Sequence, residues 1–215
     1  MTCCHRCATA DQFDSAVARR DLRRFRRRGP DAPTRRLLAA VQACPLPPRP
    51  TLLDIGGGVG AIHHVLLEHG FTHATHLDAS GAYLAAAADE AGRLGHDDRV
   101  RFQLAEFPAE ASTVPAVDVV TLHRVVCCDP DYARLLAAAA DRARRFLAFS
   151  YPRPRRITRL VVAAANLLRR VSGRGFRAYV HPPARMKAVL EMAGMRQARV
   201  GGTWIWAVEV FERPA

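Results

Sequence analysis

The sequence predicts an α/β fold: a seven-stranded, mostly parallel sheet with helices on both faces, an antiparallel C-terminal hairpin and a helical N-terminal cap. Three observations carry this reading. After residue 50, short apolar runs alternate with helical patterns, as parallel strands and their crossover helices do. Those runs are nearly continuous in apolar residues, which suits strands covered on both faces. The last two runs are joined only by Gly201-Gly202, too short for a crossover, so they should pair antiparallel at one sheet edge.

The elements follow in order. Residues 1–50 form a cap segment distinct from the domain expected over 51–215. Residues 14–28 read as a helix with Val17, Leu22 and Phe25 as apolar positions among seven arginines, stopped by Gly29-Pro30. A second helix covers 34–43, with Leu37, Leu38 and Val41 on one side, and the prolines between 45 and 50 break it. The strands are then expected at 51–55, 72–77, 100–104, 117–122, 146–151, 196–200 and 205–211. The helices between them are expected at 61–69, ended by Gly70, then at 81–94, stopped by Gly95, and at 132–144, 157–171 and 183–193. Trp204 and Trp206 share one side of a strand by period two, which places at least one of them in the core.

Composition excludes several classes. At 215 residues, 49% hydrophobic and 24% charged, the chain buries a real core and is neither disordered nor fibrous. No apolar run reaches the roughly 18 residues a spanning helix needs. The N-terminus MTCCHRCATADQF has no apolar stretch of the secretory kind, so a cytoplasmic setting is expected, with reduced cysteines. The formal charge is +12, and Lys187 is the only lysine, leaving 31 of 32 basic residues as arginine. Such a balance favours anionic partners without identifying one.

Leu52-Leu53-Asp54-Ile55-Gly56-Gly57-Gly58-Val59-Gly60 is the most informative stretch. Glycines at a strand-to-helix turn permit positive φ and close approach of backbone to ligand, and the following helix presents free N–H groups. Asp78 ends the next strand, 18 residues past Gly60, where an acid can accept hydrogen bonds from ribose hydroxyls. Two readings compete. Gly56, Gly58 and Ala61 satisfy the dinucleotide fingerprint, which would make the chain an NAD-binding oxidoreductase. Asp54, two residues before the first glycine, would repel a pyrophosphate and suits a ligand with an ammonium group. No Tyr-x-x-x-Lys pair is present, which removes one class of dehydrogenase.

With these residues the sequence resembles the class I S-adenosylmethionine-dependent methyltransferases. LLDIGGGVG is similar to their first motif and HLDAS to their second, and the likeness spans about residues 51–151. It implies a Rossmann-like methyltransferase domain over 51–215 with S-adenosylmethionine as cofactor. Asp54, Gly56, Gly57, Gly58 and Gly60 would serve its amino-acid and ribose portion, and Asp78 with Ala79 its ribose. Glu106, just past the third strand, would meet the adenine amino group, and Phe107 the adenine ring. Phe146 to Arg153, followed by a basic helix, is similar to small-molecule O-methyltransferases of the magnesium-protoporphyrin type.

On the acceptor side, His123 ends the fourth strand and is the candidate catalytic residue, since imidazole can take a proton near neutral pH. Methyl transfer rests largely on positioning, so no acid–base pair is required. The Asn-Pro-Pro-Tyr motif of amino-group methyltransferases and the Pro-Cys of cytosine carbon-5 enzymes are absent after the fourth strand, so a small-molecule acceptor is expected ahead of nucleic acid. A basic RNA-associated protein remains an alternative. Arg153, Arg155, Arg156 and Arg159 could meet a substrate carboxylate. Phe13, Phe25 and the arginine run would be lid residues, and Tyr179 and His181 could line the pocket. Cys3, Cys4, Cys7, Cys127 and Cys128 supply soft-metal ligand types, but adjacent cysteines pair poorly on one tetrahedral ion and no second C-x-x-C completes a site, so no metal is assigned.

Overall fold

The computed structural model describes residues 9 and 11–214. Helices α1 (Ser15–Arg28) and α2 (Ala32–Gln42) come first. Then follow β1 (Thr51–Ile55), α3 (Ala61–Glu68), β2 (His73–Asp78), α4 (Gly81–Leu94), β3 (Val100–Leu104), β4 (Val117–His123) and α5 (Tyr132–Arg142). The chain closes with β5 (Ala143–Pro152), α6 (Arg156–Val171), α7 (Pro183–Met192), β6 (Arg196–Gly202) and β7 (Trp206–Glu212). The strands form one sheet in the order β3-β2-β1-β4-β5-β7-β6. Strands β1 to β5 are parallel, and β7 runs antiparallel to both β5 and β6. The sequence turns outward in opposite directions from β1 and β4, and the crevice opens at their carboxyl ends, as in other open α/β sheets.

Alternation along the strands explains the two layers. Leu52, Val119, Ala148 and Val210 point to one face, where they meet Leu37, Leu38 and Val41 of α2 and Leu66 of α3. Their neighbours Leu53, Val120, Leu147, Phe149 and Phe211 point to the other, against Leu135, Leu136 and Ala139 of α5 and Leu190 of α7. A third cluster joins Ala18 and Leu22 of α1 to Tyr83 of α4 and Val59 of the glycine loop. This last contact brings the arginine-rich helix to the crevice.

The helix ends follow from their capping residues. Asp14 accepts the Ala16 and Val17 amides, and Asp31 accepts that of Thr34. Gly29 and Gly95 terminate α1 and α4 at positive φ. Two expectations need correction. Helix α5 stops at Arg142 instead of 144, because Ala143 already pairs with Val117 in the sheet, so β5 runs 143–152. Gly201 and Gly202 belong to β6, and the reversal falls on the three residues after them, where the Thr203 amide donates to the Trp206 carbonyl at 2.7 Å. Trp204 therefore sits in the turn, 62% exposed, and Trp206 is half-buried, so neither is in the core. Cys3, Cys4 and Cys7 lie outside the described residues.

Candidate active site

The glycine turn forms the floor of a cavity of 340 Å³, within the range of small-molecule sites. Gly56, Gly58 and Gly60 have φ of 62°, 59° and 83°, a region in which side chains are strained. Space reinforces the requirement. A Cβ on Gly56 would strike Val125, one on Gly57 would lie 2.7 Å from the Asp54 carboxylate, and one on Gly60 would lie 2.6 Å from the His63 ring. At Gly58 it would meet only Tyr83, at 3.8 Å, so this glycine leaves room on the cavity side.

Asp78 pins the turn. One carboxylate oxygen accepts the Gly58 amide at 3.0 Å and the other the Ser80 amide at 2.8 Å. Burial pushes its carboxyl up to about 6, against the lowering effect of those two amides. Ala79 lines the same wall, and Ala105, Glu106 and Phe107 line the next. Phe107 also packs into the core beneath, with 7% of its surface exposed.

Asp54 and Gly60 are not among the cavity-lining residues. Asp54 is fully enclosed below the turn, where one oxygen accepts the Thr121 hydroxyl at 2.8 Å and the other lies 3.3 Å from His63 Nδ1. His76 Nδ1 is 3.2 Å from His63 Nδ1, and on the far side His64 Nδ1 is 3.2 Å from His96 Nδ1. Burial raises the Asp54 carboxyl and drives His63, His64 and His76 down to about 3, so these imidazoles are neutral. Asp54, His63 and His76 bring ligand-type atoms within 4.8 Å of one another, but none of the three lines the cavity. Their evident contribution is to support the turn from below.

His123 lines the opposite wall with Arg124, Val125 and Cys128. Its hydrogen bonds define its proton. The Thr34 hydroxyl donates to Asp31 at 2.6 Å, so it accepts from His123 Nε2, 3.1 Å away. The Ser150 hydroxyl accepts the Arg124 amide at 3.0 Å and donates to His123 Nδ1 at 2.8 Å. Burial, with the Arg124 charge, lowers the imidazole to about 4, so it stands neutral with both nitrogens occupied.

Asp31 is a residue that sequence reasoning missed. It caps α2, accepts Arg124 at 2.6 Å and Arg24 at 2.8 Å, and so ties α1, α2 and β4 at the cavity rim. Burial would raise its carboxyl, but the Thr34 hydroxyl and amide and the Arg124 guanidinium outweigh it and hold the group well below the carboxylate range. Asp31 followed by Pro33 and Thr34 is a readable helix-start signal, though it gives no hint of the two arginines. Arg124 itself has φ of 62°, uncommon for a residue with a side chain, and its guanidinium lies over Trp206. Tyr83, whose hydroxyl donates to Asp21 at 2.7 Å, is a second missed lining residue.

The remaining expectations divide. Phe13 and Phe25 line the cavity from above. Arg153 is spent on the Gly201 and Thr203 carbonyls and Arg155 on the Trp204 ring, and with Arg156 and Arg159 they lie outside the lining. Tyr179 stacks on His181, whose Nε2 meets the Asp129 carbonyl, and neither lines the cavity. The Cys127 and Cys128 sulfurs are 4.0 Å apart, and both thiols donate to the Arg124 carbonyl.

Comparison with known proteins gives a consistent result. Residues 53–148 match the family model of a methyltransferase domain. The fold is similar to magnesium protoporphyrin IX methyltransferase from Synechocystis PCC 6803, solved with bound SAH, at 19% identity and a TM-score of 0.76, covering 98% of this chain and 100% of that one. It is also similar to an O-methyltransferase family protein from Burkholderia thailandensis, at 18% identity and a TM-score of 0.73, covering 95% of this chain and 62% of that one. An O-methyltransferase family 2 protein from Planctomyces limnophilus in complex with apigenin gives 17% identity and a TM-score of 0.68, covering 93% and 62%. No curated protein matches the sequence.

Proposed function

We propose that the chain, whose residues 53–148 match the model of a methyltransferase domain, is an S-adenosylmethionine-dependent methyltransferase whose cavity binds that cofactor and serves methyl transfer to a small molecule. The observation that carries the reading is Asp78, a carboxylate on the cavity wall that holds the Gly58 amide of a turn built from positive-φ glycines. The site fits the group on two counts: Gly58 leaves open space where a side chain would intrude, and an acid stands beside it.

In this reading Asp78 and Ala79 meet the ribose, and Gly56, Gly57 and Gly58 carry the amino-acid portion. Glu106 meets the adenine amino group and Phe107 packs on the adenine ring. Asp54 and Gly60 act from below by holding the turn's shape. The segment 1–50 forms the cap of the 51–215 domain, with Phe13 and Phe25 over the cavity. When bound, S-adenosylmethionine supplies a methyl group already activated on a sulfonium, so the chain's task is orientation and exclusion of water.

His123 is the acceptor-side residue of this reading and acts by position, since both its nitrogens are committed. Arg24 and Arg124, held side by side on Asp31, offer guanidinium groups to a carboxylate-bearing acceptor, whose nucleophilic oxygen needs no strong base. The structural neighbours named for porphyrin and O-methyl transfer favour a small molecule over nucleic acid. A cytoplasmic setting belongs to the same reading and suits the reduced Cys44, Cys127 and Cys128.

Calorimetric titration with S-adenosylhomocysteine, with NAD as the parallel ligand, tests the proposal. Micromolar binding of the first alone is expected. Binding of NAD alone, or of neither by folded protein, overturns it.

A further inference from the structure

Helix α6 (Arg156–Val171) exposes the face that a globular helix normally hides. Ile157, Leu160, Val161, Leu167, Leu168 and Val171 are between 49% and 80% exposed, and Thr158 is its one buried residue. At 3.6 residues per turn those six side chains fall within an arc of about 120°, one continuous apolar stripe on a helix about 24 Å long. The opposite side is the one the protein holds. Asn166 donates to the Ala178 carbonyl at 2.8 Å and accepts its amide at 3.0 Å, and Arg169 lies over the Phe176 ring. The stripe therefore faces outward by construction.

Two further features adjoin it. The turn after β6 sets Trp204 and Ile205, 62% and 49% exposed, beside the start of α6, where Arg155 lies over the Trp204 ring and the Arg153 amide donates to the Ile205 carbonyl. The segment that holds the helix carries charge of one sign. No Asp or Glu occurs between Asp141 and Glu191, whereas twelve arginines and Lys187 do. On α6 itself Arg156 and Arg170 lie along one side of the stripe.

We infer that α6 and the Trp204–Ile205 turn form a docking surface for an anionic lipid bilayer, on which the helix lies in the plane of the interface. The apolar stripe enters the boundary between headgroups and acyl chains, about 5–10 Å deep, while the flanking arginines reach the lipid phosphates and Trp204 takes the interfacial level. The chemistry argues against the other occupants. Nucleic acid would use the arginines and leave the stripe in water. A second copy docked through the same face would oppose arginine to arginine, with no acid in the segment to pair them. Among the described residues no helix is long and apolar enough to cross a membrane, so the association is peripheral. The inference is independent of the proposed cofactor and acceptor.

Flotation of the full chain tests it, with vesicles of phosphatidylcholine alone and of equal parts phosphatidylcholine and phosphatidylglycerol. Binding to the mixed vesicles is expected to exceed binding to the neutral ones at least tenfold, in order of magnitude, and to weaken in high salt without vanishing. The double variant Leu160→Gln, Leu168→Gln should lose binding about tenfold or more, because both side chains leave water only on the bilayer. Its far-ultraviolet spectrum and melting temperature should match the parent. The inference is overturned if the mixed vesicles capture no protein, or if the double variant binds as well as the parent. It is also overturned if the parent sediments as a dimer that the double variant dissociates.

Discussion

Asp78 holds the glycine turn through one oxygen and the start of α4 through the other, and burial keeps its carboxyl near 6. Asp78→Ala should weaken S-adenosylhomocysteine binding by about 1.5–3 kcal/mol, the range for hydrogen bonds to a charged group, read by calorimetry. The same affinity should fall as pH drops through about 6, since the protonated acid is a poorer partner for ribose hydroxyls. An affinity flat from pH 5 to 8 would remove Asp78 from the ribose. Gly57 tests the space beneath the turn. A Cβ there meets the enclosed Asp54 carboxylate at 2.7 Å and His76 at 2.9 Å, neither the end of a mobile chain. Gly57→Ala should cost about 1–3 kcal/mol in denaturant unfolding, as overpacking does. These residues were legible in the sequence because glycine and acid spacings in a strand–turn–helix unit are local. The enclosure of Asp54 was not, because its partners His63 and Thr121 arrive from a helix and from another strand.

At the scale of elements, the helical segment before the sheet is bound to the domain by polar and charged contacts as well as by apolar packing. Arg26 of α1 reaches the enclosed carboxylate of Glu90 on α4, and Tyr83 of α4 reaches Asp21 of α1. Asp31 joins α2 to α1 and to β4 through Arg24 and Arg124. Removing Asp31 takes away a helix cap and leaves both arginines without that partner. Asp31→Ala should lower stability by about 1–2 kcal/mol from the cap alone, and it should weaken ligand binding because the roof loses its tie. A thermal melt and a binding isotherm check the two effects. Unaltered binding with a lowered melting temperature would show that the cap is structural and not part of the site. A helix over 157–171 was expected from the sequence, but an apolar periodicity within it states only that the helix has an apolar side. Which way that side faces depends on what the rest of the chain places against it, and here Asn166 and Arg169 turn inward.

At the scale of the whole molecule, four histidines gathered between α3 and the sheet make the protein's stability a function of pH. Burial lowers His64 to about 3, with the neighbouring His63 and His96 acting in the same direction. The unfolded chain binds that proton near 6.5 and the folded one only near 3. The folded state is therefore favoured above pH 6.5, and the advantage is lost progressively as pH falls toward 3. Asp78, raised in the folded state, works in the opposite direction, since its contribution is present at low pH and lost as pH rises through about 6. His64→Asn isolates one term. The slope of unfolding free energy against pH between 6.5 and 3 should decrease by up to about 1.4 kcal/mol per pH unit, one proton's worth. An unchanged slope in denaturant titrations would mean that His64 is protonated in the folded protein.

The sequence by itself determined the strand and helix order, the antiparallel end of the sheet, and the glycine turn with its acid at Asp78. Each of these is written in residues within a few positions of one another or in a repeat of two or 3.6. Only the tertiary structure decided that Asp54 is enclosed, that His123 has both nitrogens engaged, that Arg124 and Asp31, 93 residues apart, close the rim, and that Trp204 and the apolar side of α6 face outward. Those outcomes depend on which distant surfaces meet, and such contacts are selected by packing the whole chain at once, with buried polar groups paired and apolar ones covered where room allows.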